Sequence, residues 1–130
     1  RMRELSKSRG LEGNVVWAGP QPHESLVDGL CAADMFVLAS ENEGCPNSLV
    51  EAMACQIPVV AAPVGGIPEL IREGEGCIFV ERTSRSFARG VEEMAMRRRK
   101  FPEIREPLHG DVRTWDKVAS QVLERLHSLR

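Results

Sequence analysis

No apolar run approaches the roughly 20 residues needed to cross a bilayer, and no secretory signal opens the chain, so no membrane-spanning segment is expected. Basic residues are not in excess: 17 Lys and Arg stand against 19 Asp and Glu, and the resulting net charge of −2 argues against a nucleic-acid groove. The cysteines, Cys31, Cys45, Cys55 and Cys77, form no C-x-x-C pair and have no histidine at ligand spacing, so no metal site is expected. Cys31, Cys55 and Cys77 lie in apolar contexts and read as small core residues, which favours a reducing cytoplasm. Internal repeats and low-complexity linkers are absent as well. So is a methionine in first position, and Arg1 reads as a cut boundary rather than a natural start.

What remains is the composition of one globular domain. The 130 residues, 42% of them apolar, suffice for a single core and exclude two. Arg1 to Arg9 reads as an amphipathic helix with Met2 and Leu5 inward, Val15 to Trp17 as a short strand, and Glu24 to Ala33 as a helix with Leu26, Leu30 and Ala33 on one side. Asp34-Met35-Phe36-Val37-Leu38 and Pro58-Val59-Val60-Ala61-Ala62 do not alternate in polarity, as expected of strands covered on both faces. Between them Leu49, Val50, Met53 and Ala54 mark a helix over Asn47 to Cys55, entered through Gly44, Pro46 and Asn47. Pro68 suits the first position of a short helix with Leu70 and Ile71, ending near Gly74-Glu75-Gly76. Cys77 to Val80 is a further strand, and Thr83 or Ser84 can cap a helix whose Phe87, Val91, Met94 and Arg98 recur at three to four residues. Phe101 to Gly110 reads as a loop. Trp115, Val118, Val122, Leu126 and Leu129 read as a closing amphipathic helix. The alternation gives an α/β domain, a Rossmann-like parallel sheet with flanking helices.

The stretch from Ala39 to Pro68 concentrates charge recognition. The first turn of its helix leaves the backbone N–H groups of Asn47, Ser48 and Leu49 without intrahelical partners, and the helix dipole adds about half a positive charge there. Such an end can hold a phosphate without a lysine. Glu43 comes from the loop before the helix and Glu51 lies about one turn inside it, so the two carboxylates address different parts of a ligand. A carboxylate accepts hydrogen bonds from two adjacent hydroxyls. One carboxylate per sugar, with phosphates between them on the helix N-terminus, is the arrangement that a nucleotide sugar needs.

Glu43-Gly44-Cys45-Pro46-Asn47-Ser48-Leu49-Val50-Glu51-Ala52, followed by Pro58-Val59-Val60-Ala61 and Val64-Gly65-Gly66-Ile67-Pro68-Glu69, resembles the E-x7-E motif and its sequel in retaining glycosyltransferases of the GT-B fold, family four (group 1). The resemblance extends upstream to Val15–Gly19 and Asp34–Ser40 and downstream to Gly76–Val80. It implies that residues 1–130 are part of a nucleotide-sugar-binding, Rossmann-like C-terminal domain. It also implies a role for each motif position. Glu43, the catalytic position, would hydrogen-bond hydroxyls of the donor sugar, and the backbone of Gly44, Cys45, Pro46 and Asn47 would touch the sugar or diphosphate. Ser48 and Leu49 N–H groups would hold the diphosphate, and Glu51 the ribose hydroxyls. No cofactor is implied; the substrate is a nucleotide-diphosphate sugar such as a UDP- or GDP-sugar. Two positions depart from the family pattern. Gln56 replaces a glycine that usually closes the helix in a left-handed conformation, which suggests a differently shaped turn. Cys45 stands where a bulky residue is frequent.

The resemblance also implies missing parts. A GT-B C-terminal domain has strand order 3-2-1-4-5-6, and the strands read above correspond to 3, 4, 5 and 6. An edge rearrangement, or a homodimer exchanging segments, is the expected way of filling the gap. The arginine and lysine that grip the diphosphate, and the N-terminal acceptor domain, lie in the absent part, so the fragment is expected neither to catalyse transfer alone nor to bind nucleoside diphosphate tightly. Other readings stay open: an epimerase of nucleotide sugars on the same fold, a receiver-type signalling module (for which Asp34 stands at the wrong end of its strand), or an interaction domain keeping the motif for folding. Glu69 reads as a first-turn helix stabiliser, and Gly65 and Gly66 are divided between a tight turn and close approach to the donor. His23, His109 and His127 read as solvated. Arg97-Arg98-Arg99-Lys100 reads as a solvated helix end, with peripheral binding to an anionic membrane as the alternative.

Overall fold

The computed structural model of the chain describes residues 1–74, 76–100 and 120. The expected loop over 101–110, the expected closing helix with Trp115 to Leu129, Glu75, His109 and His127 lie outside the described residues. Five helices and three strands are formed among those described: α1 (Met2–Ser8), α2 (His23–Ala32), β1 (Phe36–Leu38), α3 (Asn47–Ala54), β2 (Val59–Ala61), α4 (Ile67–Leu70), β3 (Cys77–Phe79) and α5 (Ser84–Lys100). None of these helices is long and apolar enough to cross a membrane.

The strands form one parallel sheet in the order β1-β2-β3. Phe36 pairs with Val59 and Leu38 with Ala61, while Val59 pairs with Cys77 and Ala61 with Phe79. Side chains alternate across a strand, so β2 feeds two cores at once. Val59 and Ala61 join Leu49, Met53, Ile67, Ile71 and Cys77 on the side of α3 and α4, whereas Val60 joins Ile78 and Met94 under α5. All three β2 residues are fully buried, which explains their unbroken apolar character. Burial also pushes the Cys77 thiol up to about 12, with the nearby Glu73 charge adding to it, so this cysteine is inert.

Several sequence expectations need correction. Val15 to Trp17 forms no strand, so among the described residues the sheet has three members in place of the expected four, and no rearranged segment closes the edge of β1. A strand needs a neighbour for its backbone groups, and this stretch pairs with none among the described residues. Nor is β1 covered on both faces: α5 lies over β2 and β3, leaving Val37 45% exposed. Met2 and Leu5 do not point inward but are 62% and 48% exposed, and α2 has no fully buried residue, because no described layer covers that side of either helix. Cys31, read as a core residue, is exposed, and Cys55 is half-buried.

The ends of α3 and α5 show how single residues fix the layers. Gln56 adopts φ 56°, so the turn after α3 is left-handed without a glycine. Its N–H donates to the Met53 carbonyl at 3.0 Å and the Ile57 N–H to the Ala52 carbonyl at 3.3 Å, the paired bonds of a Schellman ending. Thr83, rather than Ser84, caps α5: its Oγ1 accepts the Ser86 N–H at 3.1 Å. At the other end Arg97 and Arg98 are not a free basic patch. Arg97 donates to the Gly74 carbonyl at 2.7 Å and pairs with Glu93, and Arg98 lies 3.2 Å from the Asp34 carboxylate and also donates to the Asp34 carbonyl. Both arginines tie α5 to loops beside the sheet.

Two stability measurements test this packing. A Cβ at Gly90 would lie 2.7 Å from Val80 Cγ1 and 2.9 Å from Val60 Cγ1. Gly90→Ala should therefore destabilise by about 1 kcal/mol in urea or thermal denaturation, because overpacking outweighs the helix-propensity gain. Stabilisation by this substitution would contradict the close helix-to-sheet contact. Gln56→Gly, in contrast, should raise stability by about 1 kcal/mol by removing a side chain from a left-handed backbone.

Candidate functional site

Because β1 and β2 are parallel, the loops that follow them leave the sheet from the same edge. Residues 39–46 connect β1 to α3, and residues 62–66 connect β2 to α4. Carboxyl ends of parallel strands are where open α/β sheets present ligands. The two loops meet backbone to backbone: the Gly66 N–H donates to the Glu43 carbonyl at 2.9 Å. Gly65 has φ 54°, and a Cβ on it would stand 1.8 Å from the Glu43 carbonyl oxygen. A Cβ on Gly66 would stand 2.0 Å from the Gly44 carbonyl oxygen. The glycine pair thus makes both a tight turn and a close approach, but the approached group is the loop that carries Glu43.

Past that contact the chain reaches the buried Pro46, which serves as the N-cap of α3 with no side-chain cap. The Pro46 carbonyl accepts N–H groups from Leu49 at 3.0 Å and Val50 at 3.2 Å. Leu49 N–H is therefore engaged and its side chain fully buried, contrary to the expectation that it stays open for a phosphate. A tightened first turn makes this bond, as helix starts often do. The N–H groups of Asn47 and Ser48, both exposed residues, have no acceptor among the described residues. Buried Leu49 and Met53 hold the helix against the sheet with this end outward.

Glu43 is half-buried and Glu51 has a side chain 31% exposed. Gly44 and Cys45 are exposed between them. Glu41, two residues before Glu43, pairs with Arg82 at 2.7 Å, linking this loop to the segment after β3. The pair is exposed, so it restrains the loop more than it stabilises the fold. Glu69 lies in the first turn of α4 and is exposed, consistent with a helix-stabilising role. No group of three or more His, Cys, Asp or Glu among the described residues is arranged to hold a metal ion.

One neighbour of the site was not legible in the sequence. His23, the first residue of α2, has its Nδ1 3.8 Å from Glu51 Oε1. The side chain is 74% exposed, as a solvated residue should be, with the Glu51 carboxylate at the limit of ion-pair range. Only the packing of α2 on α3 brings the two together; nothing in their spacing of 28 positions, from 23 to 51, announces it.

The glycine turn provides the test of this geometry. Gly66→Ala must displace either its own turn or the Gly44 carbonyl, and should destabilise the protein by about 1–3 kcal/mol, the range for an unrelieved clash. Amide resonances or exchange rates of residues 43–45 should change with it. An unperturbed loop would show that the two segments do not support each other.

Residues 1–105 match the family described as Glycosyl transferases group 1. Among curated proteins the chain is 31% identical over 124 residues to the D-inositol 3-phosphate glycosyltransferase of Rhodococcus erythropolis, covering 93% of this chain and 28% of that protein. It is 30% identical over 101 residues to the putative teichuronic acid biosynthesis glycosyltransferase TuaC of Bacillus subtilis, covering 78% of this chain and 26% of the relative. Over 82 residues, 63% of this chain and 18% of the relative, it is 37% identical to the phosphatidylinositol N-acetylglucosaminyltransferase GPI3 subunit of Saccharomyces cerevisiae. In three dimensions it superposes on sucrose-phosphate synthase from Thermosynechococcus elongatus with a TM-score of 0.72 and 27% identity, covering 99% of this chain and 33% of that one. The chain therefore spans between about a fifth and a third of the length of these proteins. Its sheet, its glycine turn and the match over residues 1–105 together place the chain in the group 1 glycosyltransferases, with the α/β architecture of the GT-B fold.

Proposed function

We propose that this chain is part of the donor-binding half of a retaining glycosyltransferase, which moves a sugar from a nucleotide-diphosphate sugar to a saccharide, lipid-linked or small-molecule acceptor. The observation that carries this reading is the backbone contact between Gly66 and Glu43, which fixes the loop that leads from Glu43 into the open amide end of α3. Asn47 and Ser48 N–H groups face the diphosphate, and Glu51, one turn along, accepts the ribose hydroxyls. Glu43 accepts hydroxyls of the donor sugar near its anomeric carbon. The relatives named above, all glycosyltransferases by name, support the reaction class.

In the reaction, the bond from the anomeric carbon to the diphosphate oxygen breaks, and the acceptor oxygen bonds to the same face. Negative charge grows on the departing phosphate, where the α3 dipole and two fixed N–H groups are already aimed. Positive charge grows on the sugar ring, where Glu43 stands as counter-charge and orienting acceptor. The acceptor's hydroxyl proton passes to the departing phosphate oxygen, the nearest strong acceptor. The preorganised elements of this chain thus act on the transition state more than on the bound substrate.

Kinetics of the full-length protein separate the two carboxylates. Glu43→Gln should lower kcat by about a hundredfold, the scale for losing one preorganised electrostatic group. Glu51→Ala should mainly raise the donor KM, by about tenfold, since ribose hydroxyls are held equally before and during reaction. Activity unchanged in both variants would rule the assignment out.

A further inference from the structure

Cys31 and Cys55 are 24 positions apart in sequence, yet their Sγ atoms stand 3.6 Å from each other. Cys31 lies in the last turn of α2, and Cys55 is the C-cap of α3. The two side chains share one small cavity with Gln56 and Arg98. We infer that Cys31 and Cys55 form a reversible disulfide when the protein meets a hydroperoxide, a redox modification that ties α2 to α3.

The geometry and the exposure agree on the order of events. A disulfide requires the sulfurs to close to about 2.0 Å, a movement within reach of side-chain rotation from the observed separation. Cys31 is exposed and Cys55 half-buried, so a peroxide reaches Cys31 first. The Cys31 thiolate attacks one peroxide oxygen, the O–O bond breaks, and Cys31 becomes a sulfenic acid while the other oxygen leaves and takes up a proton as water. The Cys55 thiolate then attacks Cys31 Sγ; the S–S bond forms, the S–O bond breaks, and hydroxide leaves to take up a proton. Two thiols are oxidised by two electrons, and hydrogen peroxide is reduced to two waters. A dithiol reductant reverses the change.

Burial first, then the neighbouring Cys31 and finally Glu51 raise the Cys55 thiol above its ordinary range. The other two cysteines are excluded by position. Cys77 is buried beneath the sheet's helices, and Cys45 lies exposed in the loop before α3. The linkage would also reach the site described above. At its other end α2 places His23 3.8 Å from Glu51, so a covalent tie between the helices restrains that pair, which on the function proposed above borders the donor site.

Glutamyl endopeptidase provides the test, because Glu41 and Glu43 separate Cys31 from Cys45 and Glu51 separates Cys45 from Cys55. The intact chain is treated with hydrogen peroxide, free thiols are alkylated, and the digest is read by mass spectrometry. The expected product is a linked Cys31–Cys55 peptide pair, lighter by two hydrogens than the separate peptides, absent after dithiothreitol and absent from Cys31→Ser and Cys55→Ser. Cys45→Ser should leave it unchanged. Recovery of Cys31 as sulfinic acid with Cys55 alkylated, or a Cys31–Cys45 linkage in equal yield, overturns the inference.

Discussion

The hydrogen bond from Gly66 to the Glu43 carbonyl is the contact on which the site depends. It joins two loops that belong to different strands, and it exists only because both Gly65 and Gly66 lack a Cβ. The loops meet there because β1 and β2 run in the same direction and end at the same edge. The buried β2 residues hold that edge in place, one face against α3 and α4 and the other against α5. Sheet topology, turn chemistry and the loop that carries Glu43 are consequently one arrangement rather than three.

Helix α3 completes it from the other side. Leu49 and Met53 anchor the helix in the core, Pro46 closes its start without a polar cap, and the Gln56 turn ends it. An uncapped helix start is ordinarily a defect that a serine or aspartate side chain would mend. Here the exposed residues Asn47 and Ser48 keep N–H groups that have no acceptor among the described residues. The strain at Gln56 lies at the far end of the same helix, away from the amides that matter.

Much of this was legible in residue order. The apolar runs at β1, β2 and β3, the periodicity of α3 and α5 and the spaced acids of the motif are local patterns, and local patterns survive in sequence. What failed was decided by neighbours. Among the described residues, Val15 to Trp17 has strand composition but no strand beside it, and Met2 and Leu5 have helical spacing but no layer to bury them. Gly65 and Gly66 were recognisable as special, whereas the partner that makes them so is 22 positions away in the chain. The Leu49 N–H is engaged, against expectation, because the first turn tightens onto the Pro46 carbonyl. His23 beside Glu51 and Cys31 beside Cys55 both arise from α2 resting on α3, which no spacing rule encodes.

The short outer strand has a consequence for how the polypeptide behaves when isolated. Strand edges recruit other chains by offering a row of unpaired backbone groups, and longer rows recruit more strongly. With β1 only three residues long, that row is brief, and a visiting strand gains few bonds for the order it must accept. The exposed Val37 side chain is then the stickier feature, and a polar residue at that position is the simplest route to better solubility.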